Sequence, residues 1–569
     1  MQEGTSQSPI FAYADQVVEN LAKRDPVFAT EVGIAGHDHL LPDYSTEQQR
    51  RNQEQIESEL RGLEDLEATT DVDRIAKEVM RERLTVQLQL MSSGETRRTF
   101  SVLRSPAMEI RQVFELMPTV SAEDADVFAA RLAQIRPALA SWRIALADVA
   151  TAGELPARRQ VRGVADQVAT FAEGAFGALA DRVARATSVD MDASGLRAAA
   201  RDAEDACADL AQWMRTALVP HATAEEASGE DRYQKWSAYW TGATLDLREL
   251  YAWGYQDLQR IHARMWELAN QLLPGAPSLV AVAEHLDKDH ARMIVGTDEL
   301  LTRLKAFTAS TVARLNGVHF DIDERIQFCD ARLAPEGTAA APYYIPPSED
   351  LSRPGTTWYP TLGATTFSWW SLASTWYHES VPGHHLQVAT AMLSAHEQSR
   401  FHRLVGWTSG YGEGWALYAE RLMDELGYFT DPGDELGYLA GQALRAARIV
   451  IDLGLHLDLD APSDLGELGD LGDVGGQRWT PAMAVALLEE WAIQDHAMSV
   501  SEVDRYLGLP GQAISYKVGE RAWLDARERA KTRVGNSFTL KAFHAHALAL
   551  GPLGLDTFAA EMDRWDGQS

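Results

Sequence analysis

The sequence predicts a mainly α protein with a small β element. Three observations carry this. Apolar residues recur at helical spacing over most of the chain, as in VFAARLAQIRPALASWRIALADVA. From Phe11 to Leu218 the chain is rich in Ala, Leu, Glu, Arg and Gln, all good helix formers. One segment, 319–361, changes texture to short alternating apolar stretches interrupted by prolines, which reads as a few strands and loops.

In chain order, the first half reads as a helical scaffold. Its breaks fall at DLEATTDVD, LMPTVSAED, TAGELPARR and ATSVDMDASG, where turn formers cluster. The last of these places serine and aspartate ahead of a long helical pattern, a candidate N-cap. PHATAEEASGEDRYQKW is polar and turn-rich and marks a boundary. We therefore divide the chain into a helical N-terminal region, 1–230, and a region 231–569 that carries the candidate site. Helices resume at LDLRELYAWGYQDLQRIHARMWELANQLL and LVAVAEHLDKDH. The acidic, Gly-rich stretch 457–476 lacks the spacing of a calcium loop and reads as a solvated surface loop.

The chain has 569 residues, ample for a large core. Its formal net charge is −31, so phosphate contacts have no basic surface to rest on, and neither nucleic acid nor an anionic membrane is expected as a partner. Cationic or neutral substrates fit this balance better, although overall charge says little about a local pocket. Two cysteines, Cys207 and Cys329, make neither a disulfide framework nor a thiolate zinc site. They fit a reducing cytosol, where we expect the protein. The first residues show no signal-peptide pattern, and no stretch is long and apolar enough to span a bilayer.

The chemistry concentrates in WYHESVPGHHLQ, Trp376 to Gln387. His378, Glu379, His384 and His385 fall within eight positions. Two metal ligands on one helix should sit a turn apart, but four residues past His378 stands Pro382. In an unbroken helix His385 would return to the same face about 10.5 Å further along, too far to share an ion. Proline disfavours helix in Val381, and Gly383 accepts almost any backbone angle. A bulge or kink there could bring His384 beside His378. Glu379 stands where zinc peptidases keep the general base. A third ligand has to come from another helix, and SGYGEGWALYAERL offers Glu413, 29 residues past His384, with Glu420 on the same face behind it. The spacing alone leaves a chance cluster as open as a metal site.

Other candidates are weaker. Hydrolysis of an amide passes through an oxyanion that a nearby donor stabilises. Tyr516, after PGQA, is our first candidate for that donor, with Lys517 beside it. Arg448, Asp452 and His456 form one stripe of a helix; an ion-pair ladder suits the first two, while His456 is the better functional candidate. Tyr343, Tyr344 and Arg353 lie in a Pro-rich loop suited to holding a substrate backbone or terminal carboxylate, or simply to anchoring the loop. His37 and His39 look ligand-like but have no nearby partner. Ser515 lacks a nucleophile motif.

HESVPGHHLQ together with YGEGWALYAERLMDELGY resembles the bacterial family known as domain of unknown function 885. PVFATEVGIAGHDHLLPDYS, ELYAWGYQDLQRIHARM, YYIPPSEDLSRPGTTWY, ALRAARIVIDLGLH and YLGLPGQAISYKVGERAWLDAR resemble further blocks of it, so the likeness runs from about Pro26 to Phe558. That family looks like a distant branch of the zinc metallopeptidases with a glutamate as third ligand, such as the thimet-oligopeptidase-like and angiotensin-converting-enzyme-like enzymes. The resemblance implies a large helical fold with a deep cleft and a zinc ion. His378, His384 and Glu413 would be its ligands and Glu379 the base. A peptide or small amide would be the substrate. The departure from those enzymes is a two-residue insertion before Gly383–His384, which leaves His385 as the rival ligand.

Overall fold

The computed structural model describes residues 8–186, 193–334, 341–348 and 351–567. Helices dominate, and the strands are few and short, as the sequence predicts. The chain separates into two compact units, Met1–Ser228 with Leu507–Leu509, and Gly229–Tyr506 with Pro510–Ser569.

The first unit is helical. Its helix starts are chemically marked: Ser8, Asp25, Ser45, Thr70, Ser105 and Ser121 each accept a hydrogen bond from the first turn that follows. Thr70 and Ser121 fall in predicted breaks, and Gly153 closes a helix in the left-handed conformation inside a third. The fourth break falls largely on 187–192, outside the described residues; the next helix, Ser194–Trp213, starts after Ala193 with no side-chain cap. Phe114, Phe128, Trp142 and Phe176 lie in one buried core.

The second unit holds the motifs. Five helices matter: α1 (Trp369–Glu379), α2 (His384–Leu393), α3 (Ser409–Glu425), α4 (Pro432–His456) and α5 (Ser515–Val534). Asp431 caps α4 with Pro432 in its first turn, a strong start signal. The strands are β1 (Met293–Val295), β2 (Asp330–Leu333), β3 (Tyr343–Ile345), β4 (Thr356–Tyr359) and β5 (Thr366–Ser368). β4 runs parallel to β2 and antiparallel to β3, giving the order β2-β4-β3. These three lie inside the predicted segment. The β1–β5 pair does not, because three-residue strands carry too little alternation to be seen. The acidic loop 457–476 is less solvated than expected, since Leu465, Leu468 and Val474 are buried.

Two close packings set the site. α3 and α5 cross where glycine meets glycine. A Cβ on Gly519 would lie 2.0 Å from the Gly410 carbonyl oxygen, and one on Gly414 would lie 2.5 Å from Gly519 Cα. Backbones this close bring residues of α5 near Glu413. Behind the crossing, buried Lys517 donates to Glu520 at 2.7 Å and pairs with Asp257 at 2.9 Å, so its charge is matched. Lys517 is therefore a structural residue. Gly519→Val should destabilise the protein by about 1–3 kcal/mol or more, as overpacking does. The measurement is the denaturation midpoint of variant against parent; an unchanged midpoint would refute the close crossing.

Candidate functional site

α1 does not kink through Pro382; it ends. Ser380 leaves helical geometry at φ −107°, ψ −114°, and α2 starts afresh at His384. Gly383 lies against the end of α1, and its N–H donates to the Tyr377 carbonyl at 3.0 Å. A Cβ there would lie 1.9 Å from the His378 carbonyl oxygen, so no other residue fits. The indole N–H of Trp415 on α3 donates to the carbonyls of Pro382, at 2.9 Å, and Gly383, at 3.1 Å. The break is thereby fastened to the helix that carries Glu413, two residues away.

The result is a triad. One donor atom each from His378, His384 and Glu413 lie within 4.8 Å of one another, the group of this kind found among the described residues. His378 Nε2 is 3.2 Å from Glu413 Oε2, and His384 Nε2 is 3.5 Å from the same oxygen. Ligands about 2.0–2.1 Å from a tetrahedral ion sit roughly 3.3 Å apart, so these separations suit zinc. The other nitrogen of His378, Nδ1, is 2.8 Å from Glu420 Oε1. Ser374 donates to the second oxygen of Glu420. A carboxylate behind a ligating histidine fixes its ring and tautomer. The donor set, two of its three separations and this backing residue fit the ion, while the two imidazole donors stand wider, within 4.8 Å.

Electrostatics agree with the geometry. Burial alone would lower the His378 imidazole, but hydrogen bonds to Glu413 and Glu420 raise it to about 10. Burial would raise Glu413, and its two histidine partners hold it well below the usual carboxylate range. Glu379 differs. Burial pushes its carboxyl up, with His378 and His384 opposing. Among the described residues none hydrogen-bonds its carboxylate, yet it lines the cavity beside the triad.

That cavity holds about 840 Å³. Tyr343, Tyr344, His384, Trp407 and Tyr516 line it. The Tyr516 ring lies 6.5 Å from that of His378, and its hydroxyl accepts from Arg505 at 3.5 Å.

Not every candidate converges. His385 faces away: Nε2 donates to the Ile326 carbonyl at 2.8 Å, so Nδ1 accepts from the Tyr344 hydroxyl at 2.9 Å. His456 does not reach the cavity. It is buried, with Nε2 donating to the Tyr506 carbonyl at 2.9 Å. Arg448 and Asp452 form no ladder. Arg448 pairs with Glu502, and Asp452 accepts from Tyr233 and from the Gly511 N–H. Arg353 is exposed and lies off the cavity wall. Ser515 spends its hydroxyl on the Gln512 carbonyl. His37 and His39 stay in a loop of the first unit, where Arg131 donates to the His37 carbonyl. Both cysteines are buried and free, and burial pushes each thiol to about 12. Sequence reasoning missed Arg445, Trp407 and the Arg505–Glu502 pair. Arg445, Glu502 and Arg505 sit on ordinary helical stretches and Trp407 in a short connection, and none of these settings gives a local signal.

One helical unit thus places His378, His384 and Glu413, a group of the kind that could hold a metal ion, beside Glu379 on the wall of one cavity. By sequence, residues 26–562 match the family described as bacterial protein of unknown function (DUF885), and the chain belongs to it. A comparison with curated proteins finds no match. Two solved structures share the fold. One is the "putative lipoprotein" of Colwellia psychrerythraea, 21% identical, with a TM-score of 0.82 over 98% of each chain. The other, described as a "putative lipoprotein of unknown function" from Shewanella oneidensis, is 20% identical, with a TM-score of 0.74 over 97% of this chain and 99% of that one. Among the described residues no helix is long and apolar enough to cross a membrane.

One measurement tests the triad and a second tests the burial of His456. His384→Ala should abolish tight zinc binding and His385→Ala should keep it, read by zinc titration of metal-free protein; the reverse pattern would refute the arrangement. Burial lowers His456 to about 4, below its ordinary 6.5. The neutral ring thus contributes stability that is complete above 6.5 and is lost as the pH falls towards 4. His456→Gln should flatten the acid side of the stability curve by roughly 1.4 kcal/mol per pH unit in that window. Denaturant titrations at pH 7 and pH 5 measure the difference.

Proposed function

We propose that the protein is a zinc-dependent hydrolase that cleaves short peptides. The observation that carries this reading is an unpaired, buried carboxylate, Glu379, next to the His378–His384–Glu413 triad in one cavity. Bound zinc would supply Lewis acidity to a scissile carbonyl and a lowered pKa to water. Two histidines and a glutamate suit zinc better than calcium or magnesium.

The chain's own groups then have separate tasks. His378, His384 and Glu413 hold the ion, and Glu420 keeps the His378 ring in place through Nδ1. Glu379 takes the proton from the attacking water, since burial raises its affinity for one. Tyr516 donates to the oxyanion. Its oxygen already accepts from Arg505, and an arginine can only donate, so the phenolic proton is unspent. β3 supplies Tyr343 and Tyr344 to the cavity wall, where an extended substrate fits.

The compartment belongs to the proposal as well. Cysteine usage fits the cytosol. The lipoprotein description of the two fold relatives, carried to this chain, would place it at a membrane surface. Fractionation of cells expressing the full-length gene separates the two.

Glu379→Gln keeps size and polarity but removes the base. It should fold, bind zinc like the parent and lose hydrolysis by about 10²–10⁴-fold. Glu413→Gln should lose zinc affinity too. Both are read on a mixed peptide library with zinc content measured in parallel. Full activity in Glu379→Gln would sink the mechanism, and loss of zinc there would make Glu379 a ligand.

A further inference from the structure

The chain is strongly acidic, at −31 overall, yet one wall of the cavity is rich in guanidinium. Arg403, Arg445, Arg448 and Arg505 all line it. Arg445 and Arg448 are three residues apart on α4 and so share a face. Arg505 comes from the helix His496–Gly508.

Among the described residues the charges of Arg445, Arg448 and Arg505 are only partly matched. One carboxylate, Glu502, serves both Arg448, at 2.8 Å, and Arg505, at 3.1 Å. Its oxygens also accept from the Tyr506 hydroxyl at 2.6 Å. Arg445 forms no ion pair among the described residues; its own bond is to the Gly441 carbonyl at 3.2 Å, and the acidic groups it feels at longer range are Glu379 and Glu420. Two guanidinium nitrogens are buried without an acceptor, Nη1 of Arg448 and Nε of Arg445. Arg448 is only 5% exposed. Arginine carries five donors and no acceptor, and a buried donor left unmatched is costly. Among the described residues Arg448 and Arg505 share Glu502 and Arg445 has no ion pair; Arg505 also donates to Gln512 Oε1 and Asp495 lines the same cavity, so the unmatched donors lie on Arg445 and Arg448.

The wall is also close to the triad. The Arg448 guanidinium lies 4.6 Å from the centre of the Tyr516 ring, and that ring adjoins His378. A ligand reaching the triad would pass one tyrosine ring from the guanidiniums. A cavity of about 840 Å³ lies within the range of small-ligand sites, so the ligand is short enough for its end to matter.

We propose that Arg445, Arg448 and Arg505 form a subsite for a free carboxylate on the ligand, which for a peptide is its C-terminal carboxylate. A planar carboxylate matches guanidinium donors in pairs, and the bond is charge-assisted. The subsite stands on this wall alone; that its ligand is a peptide rests on the hydrolase reading above. Release of residues from the C-terminal end of short peptides follows from the two together.

The test uses two N-acetylated hexapeptide libraries of the same sequences, one ending in the free acid and one in the amide. Acetylation leaves the C-terminus as the only terminal charge. Binding to zinc-loaded Glu379→Gln full-length protein is measured by equilibrium dialysis with mass spectrometry. The acid library should bind about 10-fold or more tighter, the worth of one charge-assisted pair. Arg445→Gln and Arg505→Gln, added singly, should each shrink that preference with zinc content and circular dichroism unchanged. Equal binding of acid and amide, no binding of either at millimolar concentration, or a preference untouched in both variants would overturn the subsite. So would inorganic phosphate competing as well as the acid library. Turnover by the parent protein is scored separately. Acid-selective binding without cleavage refutes the hydrolase reading and keeps the subsite, whereas equal cleavage of acid and amide refutes the subsite and keeps the hydrolase.

Discussion

The site depends on how the chain passes from α1 to α2. Gly383 sits so close to the His378 carbonyl that a side chain has no room, and the Trp415 indole holds the Pro382 and Gly383 carbonyls. Without the break, His378 and His384 would face different directions on one helix. Without the indole, the restarted helix would have no fixed relation to Glu413. One glycine and one N–H donor thus convert a six-residue spacing into a pair of imidazoles with ring centres 4.8 Å apart.

What surrounds the break makes it rigid. His385 is tied on both ring nitrogens, one of them to Tyr344 of β3. Thr357 of β4 donates to the Glu379 carbonyl at 3.4 Å. Trp415 itself packs against Trp523 and His544. The small sheet is therefore part of the site's support, and the glycine crossing of α3 on α5 brings the Tyr516 end of α5 to it. Side chains held this way by their neighbours are fixed in position, which is what a proposed metal site would need.

Charge is distributed with the same economy. In a strongly acidic chain the cavity still gathers Arg445, Arg448 and Arg505 on one wall, so net charge is a poor guide to a local field. The carboxylates near the triad divide by partner. Glu413 is held ionised by His378 and His384 and Glu420 by His378, while Glu379, whose carboxylate has no hydrogen-bond partner among the described residues, is pushed towards the protonated form by burial. Different environments for neighbouring carboxyl groups are how one site assigns different tasks to the same chemistry.

The sequence by itself determined the helical class, the sheet-bearing segment, three breaks between helices of the first unit and the residues of the motif, because these rest on local periodicity and turn formers. It also indicated that helix need not stay regular through Pro382 and Gly383, while the outright end of α1 and restart at His384 came from the structure. Only the tertiary structure put His384, and not His385, beside His378 and Glu413, because that depends on where Tyr344 and the Ile326 carbonyl, both remote in sequence, meet the second imidazole. It likewise removed His456 and Arg353 from the cavity and brought in Arg445, Trp407 and Arg505. A helical stripe records which residues share a face, but which face meets a cavity is set by packing against partners far along the chain.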